Sequence, residues 1–462
     1  MRKIVLLLCM VLVSCMPSTP EEIVSRVSGS SESASGYNPF PANRLEPKQF
    51  SNADLKRDFL DLSFSLESGT ALPRFTRFEG PISVRVMGMA SPYFAADLNR
   101  LLARLKSEAG IDIHKTNAAN ANITIQLVSQ TEIQRLLPTA ACFVAPNVTS
   151  LDEFQIKRKT EQTSWSRQTL RRQVGVFLPN DVAPQETRDC LHEEFAQALG
   201  PLNDLYRLPQ SVFNDDNVHT VLTPFDMMIL RITYAPELRS GMSKHKVTEN
   251  LDAVLSRLNP AGDAIAPRYF KHTSQLWKTE ILKVSSPTTS RAEKKQSAAA
   301  ALKLAQEAGW NDHRLGISLN NFARALQVQS PYEAQNIFEQ ARDVFKTMPE
   351  AELHNSFVAL QLAHHYVSLG QGEEALEVLS PAIRVAGAYE NAALVSVLMF
   401  LKAEALELMG KWNEASKVRL DTFEYARYGF GSSAEIRRYM RQISRLNPIK
   451  LLCEEKCIFY VA

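Results

Sequence analysis

The sequence predicts an α+β domain followed by an all-α helical-repeat domain. Three observations carry this. Between residues 82 and 199, short alternating apolar segments are interleaved with stretches of helical spacing. Beyond residue 290 the alternation stops, and Glu-Ala pairs recur at near-constant intervals. Ahead of both, a basic and then apolar N-terminus reads as an export signal and not as part of a core. The 462 residues, 45% of them hydrophobic, suffice for two or three cores. Lys plus Arg is 52 against 50 for Asp plus Glu, so no overall field argues for a nucleic-acid partner.

Arg2 and Lys3 precede the apolar run Ile4 to Val13, which is too short to span a bilayer stably. Its ending, Leu12-Val13-Ser14-Cys15, resembles the lipobox of bacterial lipoproteins. The resemblance implies a signal peptide over 1–15, Cys15 as the lipidated first residue of the mature chain, and a membrane partner through that lipid. An ordinary signal with a chance cysteine is the alternative. Met16 in place of Asp implies, by the Gram-negative sorting rule, the outer membrane facing the periplasm. Residues 16–50, rich in Ser, Pro, Glu and Asn, read as a disordered tether of about 30 Å. The exported part keeps Cys142, Cys190, Cys453 and Cys457. Four cysteines in an oxidising compartment suggest two disulfides, with three connectivities open; Cys142–Cys190 and Cys453–Cys457 are the sequence-local pairing. C-x-x-x-C without other Cys or His nearby is a poor zinc site.

The first domain is expected over 51–260. Leu55, Phe59, Leu62 and Phe64 predict a short helix, after which the chain returns through 74–78. Residues 82–87 (ISVRVM) alternate like a half-buried strand. Phe94, Leu98, Leu101, Leu102 and Leu105 mark a helix over 93–108 stopped by Gly110. Residues 122–128 and 173–178 are the second and third strands. Lys157, Arg158, Lys159, Arg167, Arg171 and Arg172 surround Trp165 in a stretch that reads as a solvated, partly mobile loop, or else as a patch for an anionic partner. On the next helix, Leu191, Phe195, Ala198 and Leu199 form an apolar face; Glu193, Glu194 and Gln197 lie opposite, and Gly200-Pro201 ends it. Thr223, Pro224 and Asp226 open a further helix as N-cap, first residue and acidic first turn.

Residues 193–203 resemble the zinc-helix motif of metzincin metallopeptidases, H-E-x-x-H-x-x-G-x-x-H. Glu194 and Gly200 match it, while Glu193, Gln197 and Asn203 stand where the histidines would be. The run Pro209 to Asn214 looks like the metzincin Met-turn with Phe213 replacing the methionine. The resemblance implies a zincin-like (metzincin-like) fold for this domain. E-E-x-x-Q-x-L-G, S-x-F-N-D-D and the closing Arg239-Ser240-Gly241-Met242 also closely resemble an uncharacterised bacterial family, domain of unknown function 2927, over roughly 55–260. Catalytic zinc prefers imidazole and thiolate, so Glu193 and Gln197 keep the geometry with other donor atoms. Three readings stay open: a metal-free degenerate site, which expects no cofactor; an oxygen-ligated divalent cation on Glu193, Gln197 and Asn203 or Asp204; and a zinc peptidase with unusual ligands and Glu194 as general base. His192 and His219 are expected at the surface or behind the site.

Residues 261–290 read as a linker and 449–462 as a tail. Over 291–448 the sequence resembles tetratricopeptide repeats. Glu333-Ala334 with Phe338 and Ala341, Glu374-Ala375 with Leu379 and Ala382, and Glu414-Ala415 with Arg419 and Thr422 share one pattern. Ala334, Ala375 and Ala415 lie 41 and 40 residues apart, longer than the usual period of about 34. Such stacks offer a concave surface to an envelope protein or peptide; a helical bundle that caps the first domain is the alternative. The chain therefore reads as a lipid-anchored envelope protein with a catalytically degenerate metalloprotease-like domain and a protein-binding repeat domain. An active metallopeptidase is the alternative.

Overall fold

The computed structural model describes residues 38–40 and 49–450. Its first half is built on one five-stranded mixed sheet. β1 (Ile82–Met87), β2 (Ile113–Lys115) and β3 (Ile123–Val128) are followed by the short β4 (Phe143–Pro146) and by β5 (Val174–Pro179). The order is β2-β1-β3-β5-β4, all parallel except β4, which runs antiparallel to β5 along one edge. Every residue of β5 is buried, as a strand covered on both faces requires. Val174, Val176 and Leu178 enter the main core, while Phe177 turns the other way to stack on Phe143 at 4.6 Å.

α1 (Asn52–Ser63) and α2 (Pro92–Ala109) fall where the apolar spacing put them. Ser91 caps α2, and Gly110 ends it at φ 68°. The short α3 (Gln130–Leu136) and α4 (Leu151–Lys157) flank β4 in sequence. α5 (Pro184–Leu199) follows β5 and packs on β4, β5 and α2. α6 (Pro224–Thr233) begins with the expected Thr223 cap, reciprocated by Asp226, and α7 (Lys244–Leu258) packs on α1. The core joins α1, α2, α5, α6 and α7 to the inward residues of β1, β3 and β5.

The rest is helical. α8 (Gln275–Ser285) and α9 (Arg291–Glu307) pair, and are followed by α10 (His313–Leu326) with α11 (Pro331–Lys346). Then come α12 (Glu352–Ser368) with α13 (Gly372–Ala388), α14 (Ala392–Leu408) with α15 (Trp412–Phe430), and a closing α16 (Ser433–Ser444). The recurrent small residues take equivalent buried places: Ala334, Phe338 and Ala341 on α11, Ala375, Leu379 and Ala382 on α13, Ala415 and Thr422 on α15. Arg419, at the third unit's degenerate position, is half-exposed and pairs with Glu404 and Glu407.

Several expectations meet a different structure. The stretch read as a linker contains α8, anchored by the fully buried Trp277, whose indole N–H donates to Ser318 Oγ at 2.9 Å. Part of the expected tether is docked: Asn38 donates to Asp97 at 3.1 Å, and buried Phe40 meets the Tyr425 ring at 5.3 Å. The inner helices α12 and α14 are apolar on nearly all sides because other helices enclose them, α10, α11, α13 and α14 around α12, and α12, α13, α15 and α16 around α14. The first unit is met chiefly by α15, which packs on α5; there Tyr428 donates to Asp97, while Gln185 bonds Asn391 and the Ala393 amide and His354 pairs with Asp216 at 2.8 Å. Residues 1–37, 41–48 and 451–462, with Cys15, Cys453 and Cys457, lie outside the described residues. No helix among the described residues is long and apolar enough to cross a membrane.

Candidate functional site

The site is organised by α5. Its apolar face enters the core as expected, but the opposite face is not a surface: Glu194 and Gln197 are buried too, and Glu193 is half-buried. His192 and His219 are buried likewise, which corrects any surface placement. The Leu222 amide donates to His192 Nδ1 at 3.1 Å, and His219 Nε2 donates to the Pro209 carbonyl at 2.7 Å. Burial, with Arg188, Arg104 and Arg100 nearby, holds His192 well below the usual imidazole range and hence neutral.

The end of α5 is held by a residue from the basic stretch. Arg171, 4% exposed, donates to the carbonyls of Gln197, Ala198 and Gly200 and to Thr76 Oγ1, and stacks on Trp165 at 4.8 Å. These are carbonyls a helix end leaves without partners. Arg171 is thus structural, not part of a solvated loop. Gly200 ends α5 as expected, in extended backbone at φ −176°. A glycine is needed there because a Cβ would come within 2.7 Å of Thr233 on α6. Below the helix, Cys190 is bonded to Cys142, with their Cα atoms 5.9 Å apart, which ties α5 to the chain entering β4.

Among the frame residues, Glu193 and Gln197 lie one turn apart on α5. Asn203 turns its amide to the Asp61 carbonyl at 3.0 Å. Among the described residues, the carboxylates that converge are others. Glu67, Asp204 and Asp215 each bring an oxygen within 4.8 Å of the other two. Glu67 sits on an exposed turn closed by the Ser65–Ala71 bridge, where Gly69 takes φ 80°. Asp204 is 3% exposed and follows Asn203 directly. Asp215 belongs to a segment fixed by Asn214, which donates to the Leu208 carbonyl, and by Asp216, which holds His354 of α12.

The carboxylates of this region raise one another. Burial first, then Glu67 and Asp215, push Glu193 up to about 7. Glu194 stands well above the ordinary carboxylate range, through burial and then Glu193 and Glu67. Asp204 is likewise well above it, through burial and a hydrogen bond shared with Glu67. Burial first, then Glu67, lifts Asp215 to about 6, with Lys278 opposing the rise. Tyr206, whose phenol is raised by burial and by Asp215, Asp216, Asp204 and Glu67, forms a wall beside them, with its ring against Trp277 at 5.1 Å.

The turn after α5 has its own support. Phe213 is fully buried and its carbonyl accepts from Leu205 at 2.9 Å. Ser211 Oγ and the amides of Val212 and Thr223 all donate to Asp226. Glu67 and Tyr206 had no signal in the sequence; Asp215 lay in the S-x-F-N-D-D run without an assigned role. No curated protein and no solved structure matches the chain. Residues 52–253, which hold the sheet, α5 and this acidic region, match the family described as "Protein of unknown function (DUF2927)".

Proposed function

We propose that the chain is a lipid-anchored protein of the bacterial cell envelope whose first unit is a zincin-like scaffold that has lost peptidase chemistry and serves in binding. One observation carries the reading most directly. Glu194, at the place of a peptidase's general base, is buried, and burial first, then Glu193 and Glu67 beside it, disfavour the charged carboxylate that a general base needs. Gln197 and Asn203 supply neutral amides where zinc needs imidazole. The helix following β5, beside the antiparallel edge strand β4, supports the scaffold part.

The anchor rests on Arg2-Lys3, the short apolar run and Leu-Val-Ser-Cys15; a diacyl or triacyl Cys15 is the expected mature terminus, facing the periplasm from the outer membrane. The repeats are proposed to take an envelope protein or peptide. The inner helices α12 and α14 are enclosed by their neighbours, and on α11 and α15 Tyr332, Trp412 and Leu420 are exposed. The test is hydrolysis of a mixed peptide library by the mature chain and its Glu194→Gln variant, with and without added zinc. No cleavage above the variant's background is expected. Cleavage that disappears in Glu194→Gln overturns the reading in favour of a metallopeptidase with unusual ligands.

A further inference from the structure

We propose that Glu67, Asp204 and Asp215 bind one hard divalent cation, calcium by preference, at a site beside but distinct from helix positions 193, 197 and 203.

Three carboxylates converge, each with an oxygen within 4.8 Å of the others. Two groups near them have buried oxygens with no hydrogen-bond partner. Asp204, itself 3% exposed, leaves Oδ1 unsatisfied, and Tyr206, 1% exposed, leaves Oη unsatisfied in the field of Asp204, Asp215 and Glu67. A buried oxygen without a partner costs about 1–3 kcal/mol, and one carboxylate beside two others costs more. A cation among them supplies the missing partner and cancels the repulsion. Lys278, whose ammonium lies 5.7 Å above the Tyr206 ring, opposes Asp215's negative neighbours but carries a single charge.

The donors decide the ion. All are oxygens of carboxylates, with neither imidazole nor thiolate among the three, which selects a hard cation over zinc. Calcium–oxygen distances of about 2.4 Å put opposite ligands about 4.8 Å apart, whereas magnesium at about 2.1 Å needs a tighter and more regular shell. Three carboxylates brought in from three separate segments make a compliant shell, which suits the larger ion that tolerates irregular geometry. Entry is open, since Glu67 lies on an exposed turn and Asp215 is only partly covered. The site joins three separate segments: the turn after α1, the chain leaving α5, and the 213–218 run that reaches α12 through Asp216 and His354. Nothing in this inference requires the first unit to be zincin-like.

The experiment is calorimetric titration of the mature full chain in detergent, stripped with EGTA, against CaCl2, MgCl2 and ZnCl2 in turn. One calcium per chain is expected, with Kd on the order of 0.1–1 mM or tighter and magnesium at least about tenfold weaker. Glu67→Gln and Asp215→Asn should each weaken calcium about tenfold or more, while Glu193→Gln stays within about threefold. Glu67 is on an exposed turn, so its variant keeps the test valid even where Asp204→Asn fails to fold. A folded chain that takes up no calcium at about 10 mM overturns the proposal. So does calcium binding that survives both Glu67→Gln and Asp215→Asn, or tight zinc binding abolished by Glu193→Gln. Magnesium binding as tight as calcium overturns the stated preference.

Discussion

At the scale of single residues, the positions that decide most are polar ones that ended up inside. Arg171 looked like one charge in a basic run, and composition cannot tell a cap from a solvated side chain. What singles it out is position, because only the fold brings it to the carbonyls of Gln197, Ala198 and Gly200. Arg171→Leu leaves these buried acceptors empty, and a loss of about 3 kcal/mol or more is expected, read as a lower urea midpoint at unchanged slope. Asp226 was legible as a helix-start residue, but its burial was not. Burial lifts it to about 6 despite the donors around it. Unfolded, it titrates near 4, so between about pH 4 and 6 the folded chain holds more protons and its stability falls as pH rises. Asp226→Asn should flatten that part of the pH profile of Tm. It should also lower Tm at every pH, because an amide NH2 then faces groups that all donate.

At the scale of elements, β1, β3, β5, α1, α2, α5 and α6 were legible because each carries a full period of apolar residues. β2 and β4 were not: three and four residues are too few to show alternation, and β4 ends in a proline. The Cys142–Cys190 pairing was readable as one choice among three, and it joins β4's approach to α5. Replacing both cysteines by serine opens a loop whose ends are 48 residues apart, with an expected loss of about 3–4 kcal/mol in chemical denaturation. The half-legible element is α5. Its frame was readable from spacing, but the donors that converge beside it come from other segments. If α5 and the turn after it keep a zincin frame, Glu193→His, Gln197→His and Asn203→His together should bind zinc stoichiometrically in equilibrium dialysis, where wild type binds little. A folded triple variant with no added zinc uptake would falsify the scaffold part of the proposed function.

At the scale of the whole molecule, the order of an α+β unit before helix pairs was readable, as were the repeated alanines that pack α11, α13 and α15. The arrangement of the two parts was not: α12 and α14 are apolar nearly all round because other helices enclose them, and the helix that packs on α5 is α15, whose composition carries no such signal. The join is concentrated at Glu390, in the turn between α13 and α14, where a left-handed φ of 55° is held by its contacts. Arg188, 1% exposed, donates to the Glu390 carbonyl at 2.7 Å and faces its carboxylate, and Arg100 pairs with the same carboxylate at 2.6 Å. Removing that one negative charge leaves a buried guanidinium with Asp189, 3.6 Å away and partly exposed, and the field of Asp97. Breaking a buried pair from one side costs about 3 kcal/mol. Glu390→Gln keeps the shape and the backbone, so it isolates the charge. Wild type should unfold in one calorimetric transition, because α15 on α5 and the buried polar contacts around Glu390 join the two halves. In Glu390→Gln the transition should broaden or split as the repeats release first. An unchanged single transition at the same Tm would mean that the packing of α15 on α5 and on Tyr93, not this ion pair, couples the two halves.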